Sequence, residues 1–199
     1  EAEMRENNIP EWFIESCKKI SYLFPRAHAV AYVMMAFRIA WFKVYHPLAF
    51  YAAYFSIRAK AFDLRIMTGD LKTQLTEFNR IKALDRAASP KDKDLMSALE
   101  VSMEMYQRGY RFINIDIQHS EARRFSIKDG ALLPPFLAID SLGETVADAI
   151  VEERNERPFT SLKDLQRRCK VSNTIIDLMK DLKCCGELPE DEQMSLFGA

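Results

Sequence analysis

The stretch from residue 26 to residue 45 constrains the fold most, because it favours a helix and is almost wholly apolar. Its polar exceptions are Arg26, His28, Arg38 and Lys43. A surface helix has one apolar stripe, whereas a helix that is apolar all round is buried. We therefore expect this helix to lie inside an assembly larger than 199 residues, with further sequence before residue 1. Its longest apolar run stops at Phe37, well short of the roughly 20 residues of a membrane span.

Aromatic residues continue from this helix into a second one, which Pro47 begins and which we expect to end near residue 61. An aromatic stripe at helical spacing is most often part of a core. We therefore predict that most of these rings are buried: Tyr32, Phe37, Trp41, Phe42, Tyr45, Phe50, Tyr51, Tyr54 and Phe55.

Charge is unevenly distributed, although the net charge is only -1. Between Ser16 and Ile66 there are eight Lys or Arg residues and one acid, which leaves 20 basic and 28 acidic residues elsewhere. A basic segment in an otherwise acidic protein is typical of a surface that faces an anion. A solvated helix face is the alternative interpretation.

The four cysteines show neither CxxC pairing nor zinc-ligand spacing with the three histidines. Free thiols in a reducing cytoplasm are the simplest interpretation. The chain begins Glu1-Ala2-Glu3, with neither a signal peptide nor an initiator methionine. We therefore expect a cytoplasmic location, no membrane partner and a piece of a longer protein.

Capping signals predict further helices and a small β-hairpin, so the predicted fold class is mainly α. Helices are expected over 71–84 and from Ser89-Pro90 to Gly109. Residues 112–117 alternate like a strand, and 125–127 and 131–133 flank a turn at 128–130, as in a hairpin. Helical character then returns at Pro134 and continues to about residue 185.

The segment from Ile139 to Ile150 fits a helix-hairpin-helix, in which a short helix over 134–139 and a second helix from Glu144 flank a tight turn. Backbone N–H groups at the start of the second helix can hold a phosphate oxygen, and a small Ala147 lets the helices pack closely. The turn is Ser141-Leu142-Gly143, where the usual motif has glycine at both ends. An ordinary helix turn is the alternative.

A second helical pair, over 161–168 and 172–182, is predicted to complete the module. The candidate DNA-binding residues of the two pairs are Ser141, Leu142, Gly143, Glu144, Arg167 and Arg168, with Arg154 and Arg157 nearby. No set of acids resembles a two-metal site, and the histidines have no nucleophile at a recognisable spacing. We therefore predict no catalytic residue and no metal ligand in this chain.

Two stretches, YLFPRAHAVAY and FRIAWFKVYHP, are similar to the fingers signature of C-family replicative DNA polymerases. The form FPRAHA resembles the PolC type. LEVSMEMYQRGYRFINIDIQHS, LLPPFLAIDSLG, PFTSLKDLQRR and LPEDEQMSLF then follow in the PolC order. The chain therefore resembles the C-terminal part of the alpha subunit of a PolC-type DNA polymerase III.

This resemblance implies that residues 1–60 complete the fingers, beside the incoming nucleotide and the template. It makes Phe24, Arg26 and His28 candidates for the nucleotide pocket, followed by Arg38 and Lys43. A histidine that caps a buried helix is the alternative for His28. The helix-hairpin-helix would hold product duplex DNA without reading its sequence, and the acids that bind magnesium in the parent enzyme would lie upstream.

The last residues, 189–199, are expected to form a flexible acidic tail. Within it, Gln193-Met194-Ser195-Leu196-Phe197 resembles the consensus that binds the bacterial sliding clamp, with Met194 in place of leucine. Leu196 and Phe197 are large apolar residues that a partner's pocket would remove from water. A tail that folds back onto its own domain is the alternative.

The predicted organisation has four parts: the end of the fingers (1–60), a helical linker region (61–110), a β-hairpin with a helix-hairpin-helix (111–188) and a clamp-binding tail (189–199). The predicted function is DNA-templated DNA synthesis by the parent enzyme, with this fragment inactive alone. Two other classes remain open. One is a stand-alone, non-catalytic DNA-binding protein that binds the clamp, and the other is a helical interaction module with an aromatic groove.

Overall fold

The computed structural model describes residues 1–19 and 26–191, with residues 26 and 27 described by their backbone alone. Two compact units are present: unit 1 is Glu1–Val44, and unit 2 begins at Tyr45. The predicted division of function at residues 60, 110 and 188 stays a prediction.

Unit 1 consists of helices α1 (Ala2–Glu6) and α2 (Glu11–Lys19) and nearly all of α3 (Arg26–Tyr45). Arg5 joins the first two helices through hydrogen bonds of 3.0 and 2.7 Å from its guanidinium to the carboxylate of Glu11. The bounds of α3 agree with the predicted helix.

The prediction that the aromatic rings of α3 are buried is wrong for this chain. Tyr32, Phe37, Trp41, Phe42 and Tyr45 are all exposed, and Phe37 is 74% exposed. Ile14 is the one buried apolar side chain among the described residues of unit 1. Helices that bury so little apolar surface cannot cover a helix that is apolar on every side.

Unit 2 begins with four helices, three of which start at recognisable caps. They are α4 (Pro47–Ala53), α5 (Leu64–Met67), α6 (Leu71–Leu84) and α7 (Pro90–Gln107). Asp63 and Asp70 accept backbone N–H groups at the starts of α5 and α6, and Ser89 forms a reciprocal capping box with Asp92 at the start of α7. The helix expected from Pro47 to residue 61 instead continues from α4 as a π-helical segment, Tyr54–Arg58.

The first core of unit 2 lies among these helices and includes Tyr51 and Phe55, so the aromatic stripe is buried in this part of the chain. Phe55 packs edge-on against Phe112 at 4.9 Å between ring centres. Helices α6 and α7 are joined in the interior by Ser102, whose hydroxyl donates to Oε1 of Gln74 at 2.6 Å.

The predicted β-hairpin is confirmed as strands β1 (Ser126–Lys128) and β2 (Ala131–Leu133), with Ile127 opposite Leu132. The strand-like segment 112–117, in contrast, forms only an isolated bridge between Phe112 and Leu132. Side-chain hydrogen bonds replace a ladder there, because Asn114 donates to the carbonyl of Leu182 at 2.6 Å.

Three helices complete unit 2: α8 (Glu144–Glu156), α9 (Leu162–Cys169) and α10 (Asn173–Asp181). Ser161 and Ser172 cap the last two, which confirms the predicted second helical pair. The short helix expected before the hairpin turn is a single 3-10 turn, Phe136–Ala138. These elements enclose a second core, which includes Phe136, Leu142 and Ala147. No helix in the described ranges is long and apolar enough to cross a membrane.

Candidate nucleic-acid interface

The predicted hairpin turn connects the 3-10 turn Phe136–Ala138 to the first residue of α8. Leu142 donates its N–H to the carbonyl of Ile139 at 3.2 Å and inserts its side chain into the second core, where it is 5% exposed. Ala147 is fully buried, as expected for a small residue between closely packed elements. The turn is therefore fixed from the inside by Leu142, and its neighbours Ser141 and Gly143 face solvent.

Ser141 has a left-handed backbone conformation, with φ of +64°. Residues with a Cβ atom adopt this conformation at a cost, which glycine avoids. Ser141, which stands where the usual motif has its first glycine, therefore adopts a conformation that is strained for a residue with a side chain.

Gly143 is the N-cap residue of α8, and it provides no side chain to cap the helix. Its φ of -74° is one that any residue adopts, and a Cβ atom added to it would meet no atom within 4 Å. The fold itself therefore does not require glycine here. The absence of a side chain instead leaves the first N–H groups of α8 open to close approach from solvent.

Glu144 is the first residue of α8 and Asp148 follows about one turn later, and Arg123 binds both of them. One guanidinium nitrogen of Arg123 is 2.5 Å from Oε2 of Glu144, and Nε is 3.0 Å from Oδ1 of Asp148. The hydrogen bond from Arg123 lowers the pKa of Asp148. Arg123 was not predicted from the sequence, because no local pattern connects it with partners 21 and 25 residues later.

Arg168, predicted to contact DNA, has its guanidinium bonded inside the module. It donates to Oε2 of Glu153 at 2.9 Å and to the carbonyl of Arg157 at 3.1 Å, and it stacks on the ring of Phe159 at 4.7 Å. Its side chain is only 11% exposed. This geometry favours a structural role, whereas contact with DNA stays a prediction.

Asp164 forms ion pairs with both arginines of α9, Arg167 and Arg168, and it is 2% exposed. Burial opposes its ionisation, but hydrogen bonds from Arg167, from the N–H of Thr160 and from Arg168 outweigh burial and lower its pKa. Arg167 contacts Asp164 at 2.9 Å while its side chain remains 69% exposed. Of the two predicted arginines, Arg167 is therefore the one that solvent and ligands can reach.

The predicted nucleotide-site residues are not brought together by the described part of the chain. Phe24 and the side chain of Arg26 lie outside the described residues. His28 is exposed on α3 with its ring 4.5 Å from that of Tyr32, and is not a cap on a buried helix. Arg38 and Lys43 follow on the same helix, where 15 residues span about 22 Å. A nucleotide role for these residues stays a prediction.

The predicted clamp-binding residues Gln193, Met194, Ser195, Leu196 and Phe197 also lie outside the described residues. The chain just before them is held against α9, because the N–H groups of Leu162 and Lys163 donate to the carbonyls of Pro189 and Glu190 at 2.9 and 3.2 Å. Lys163 also pairs with Asp191. Residues 189–191, predicted to belong to a free tail, are therefore held against α9.

No group of three or more His, Cys, Asp or Glu side chains in the described ranges is arranged to hold a metal ion. The expectation that magnesium is bound elsewhere in a longer protein stays a prediction.

Residues 109–193 match the family model of the helix-hairpin-helix motif. The chain is also similar over nearly its whole length to longer proteins. It is 47% identical over 195 residues to a DNA polymerase III PolC-type from Caldanaerobacter subterraneus subsp. tengcongensis, which covers 98% of this chain and 14% of that protein.

A DNA polymerase III PolC-type from Streptococcus pyogenes serotype M12 is 48% identical over 197 residues, which is 98% of this chain and 13% of that protein. The resemblance to PolC-type DNA polymerase III is therefore confirmed, and this chain aligns with a segment of that family. The chain spans about 14% of the length of the curated relatives that it matches.

We expect Ser141→Gly to stabilise the protein by about 1 kcal/mol, because glycine adopts the left-handed conformation without the Cβ clash. Urea unfolding measures the difference, with Ser141→Ala as the control that keeps the Cβ atom. Equal stability of the glycine and alanine variants would show that Ser141 is not strained.

We expect Asp164→Asn to destabilise the protein by roughly 1.5–3 kcal/mol at pH 7, because buried hydrogen bonds to a charged group are lost. The folded pKa of Asp164 is lowered, so its ionised form stabilises the fold above the unfolded pKa of about 3.9 and loses that effect as the pH falls through the folded pKa. The gap between wild type and variant should therefore shrink below about pH 4. Exposed Asp177→Asn is the control, and a gap that does not change with pH would contradict this role.

Proposed function

We propose that this chain is a region of a replicative DNA polymerase in which the helix-hairpin-helix grips duplex DNA behind the site of synthesis. The observation that carries the proposal is the start of α8 at Gly143, which has no side-chain cap. The space beside Gly143 is open, although the fold would also accept a larger residue there. Alignment of 98% of the chain with PolC-type relatives supports the polymerase context, including residues 1–60. A stand-alone accessory protein would leave that first stretch of similarity unexplained.

A phosphate is the group that suits this helix start. Aligned peptide dipoles place about half a positive charge at a helix N-terminus, and the first N–H groups have no partners within the helix. A contact of this kind involves the backbone of both molecules, so it does not read sequence. Glu144 would oppose the phosphate, and Arg123 offsets that charge. Binding should accordingly be weak, sequence-independent and sensitive to salt.

The first 60 residues would complete the fingers. In this proposal Phe24, Arg26 and His28 contact the incoming nucleotide, and Arg38 and Lys43 are further candidates for the same pocket. The exposed apolar surface of α3 supports the proposal, because contiguous apolar surface of this kind marks an interface. Other parts of the full-length polymerase would cover it, and they would also supply the magnesium-binding acids.

The segment Gln193–Phe197 would bind the sliding clamp and raise processivity by keeping the enzyme close to its template. The anchoring of Pro189 and Glu190 on α9 supports a short connection, since only Glu192 separates Asp191 from Gln193, the first residue of the motif. The clamp would then lie close to the α9–α10 pair, and so to the DNA that the hairpin holds.

We expect Gly143→Val to weaken binding of a duplex oligonucleotide at low salt at least several-fold, because the branched side chain blocks the approach of a phosphate to α8. The wild-type dissociation constant should lie on the order of 10⁻⁴ to 10⁻⁶ M. Titration by fluorescence anisotropy, with two duplexes of unrelated sequence, measures the effect.

Thr76→Val places an exposed valine on α6, away from the hairpin, and is the control for the effect of an exposed valine as such. Circular dichroism checks that each variant is folded. If Gly143→Val binds both duplexes as tightly as wild type, the hairpin is only a structural turn.

We expect the tail to bind the cognate sliding clamp with micromolar affinity, about -8 kcal/mol, and to lose binding in the variant Leu196→Ala/Phe197→Ala. Each apolar side chain that enters a pocket contributes roughly 1.5–3 kcal/mol. Calorimetry of both proteins against the clamp measures the loss. Equal binding by the two would exclude the tail from clamp recognition.

A further inference from the structure

An open groove of about 280 Å³ lies beside the hairpin turn in unit 2. Its floor includes Phe55 and Phe125, which are 4% and 9% exposed. Its rim includes Lys60 and Arg123, together with Asp140 from the hairpin turn itself. The groove therefore continues the surface around Gly143 towards the π-helical segment that precedes Lys60.

The two basic side chains on the rim are available to a ligand. Lys60 is exposed and makes no ion pair with any residue in the described ranges. Arg123 is held by Glu144 and Asp148, but its side chain is 48% exposed and ion pairs at such exposed positions are weak. Asp140 is the one acid among the described residues that line the groove, so basic side chains outnumber acids in the lining, although Glu144 and Asp148 beside Arg123 also oppose an anion.

The floor of the groove decides which part of a nucleic acid fits. Phe55 and Phe125 are almost fully covered and Phe62, which also lines the groove, is only partly exposed, so the groove offers little ring face on which a base could stack, as single-strand binding surfaces do. Ser56 in the groove also uses its hydroxyl to accept the N–H of Phe125 at 2.9 Å. A phosphate backbone that rests on the basic rim suits this surface better than an inserted base.

We propose that the DNA backbone held at Gly143 continues over Arg123 into this groove, and that Arg123 and Lys60 bind successive parts of that backbone. This inference rests on the proposed gripping of duplex DNA by the hairpin. Arg123 connects the two sites physically, because its guanidinium lies 2.5 Å from the first residue of α8 while it also lines the groove. On binding, Arg123 exchanges part of its contact with Glu144 and Asp148 for a phosphate.

The test is the salt dependence of duplex binding by the whole 199-residue chain. Each phosphate contact contributes about 0.9 to the slope of log affinity against log salt. Lys60→Gln and Arg123→Gln should each lower the slope by about that amount and weaken low-salt binding several-fold. The matched control is Lys91→Gln, an exposed lysine in the first turn of α7, which should leave the slope unchanged.

Arg123→Gln also exposes the charges of Glu144 and Asp148, which would repel DNA without any loss of direct contact. A second comparison separates the two effects by placing Arg123→Gln in a Glu144→Gln/Asp148→Asn background. If Arg123→Gln still lowers the salt-dependence slope in that background, direct contact by Arg123 is supported. A slope that no longer falls overturns it and leaves Arg123 as a residue that only neutralises the two acids.

The outcomes also separate the groove from the hairpin. If Gly143→Val weakens binding while Lys60→Gln and Arg123→Gln change nothing, the groove is overturned and the hairpin is supported. If the groove variants lower the slope while Gly143→Val has no effect, the groove is supported and the hairpin contact is overturned. No measurable binding of duplex DNA by the wild-type chain would overturn both.

Discussion

Asp164 is a buried carboxylate, and its neutralisation by arginines determines how α8 and α9 lie against each other. A buried charge is costly unless it is paired and hydrogen-bonded. Arg168 meets this requirement and, with the same guanidinium, also binds the side chain of Glu153 near the end of α8. One buried acid on α9 thereby fixes the far end of α8. Leu142 packs into the core at the near end, so both ends of α8 are anchored while its N-cap residue Gly143 faces solvent.

The net charge of the whole chain does not indicate the charge of its surface, because several arginines form hydrogen bonds inside the protein. Arg154 donates to the carbonyls of Ile117 and Ser120 at 3.1 and 2.8 Å, and burial lowers its pKa. Arg168 likewise donates to a backbone carbonyl, that of Arg157. Other basic residues stay exposed, among them Arg167 and, at the rim of the groove, Arg123 and Lys60. A protein with a net charge of -1 can therefore present a local phosphate-binding surface.

Local signals in the sequence were sufficient to predict most of the longer helices and the hairpin turn. Ser89, Ser161 and Ser172 each cap the helix that was expected after them, because capping depends on residues three positions apart. Long-range features could not be predicted in this way. The pairing of Arg123 with α8, and the hydrogen bonds that keep Asn114 out of a strand, join residues that no local pattern connects.

Helix α3 also shows that local patterns do not predict long-range contacts. Its residues predicted the helix correctly. They did not predict its exposure to solvent, since the side chain of Phe37, expected to be buried, is 74% exposed in this chain. A helix that is apolar on every face has no preferred orientation of its own, because no stripe distinguishes an inner from an outer side. The direction in which His28, Arg38 and Lys43 project is therefore set by whatever covers the helix. A contact of these residues with a nucleotide would depend on that cover, and the chain aligns with only about 14% of the length of its PolC-type relatives.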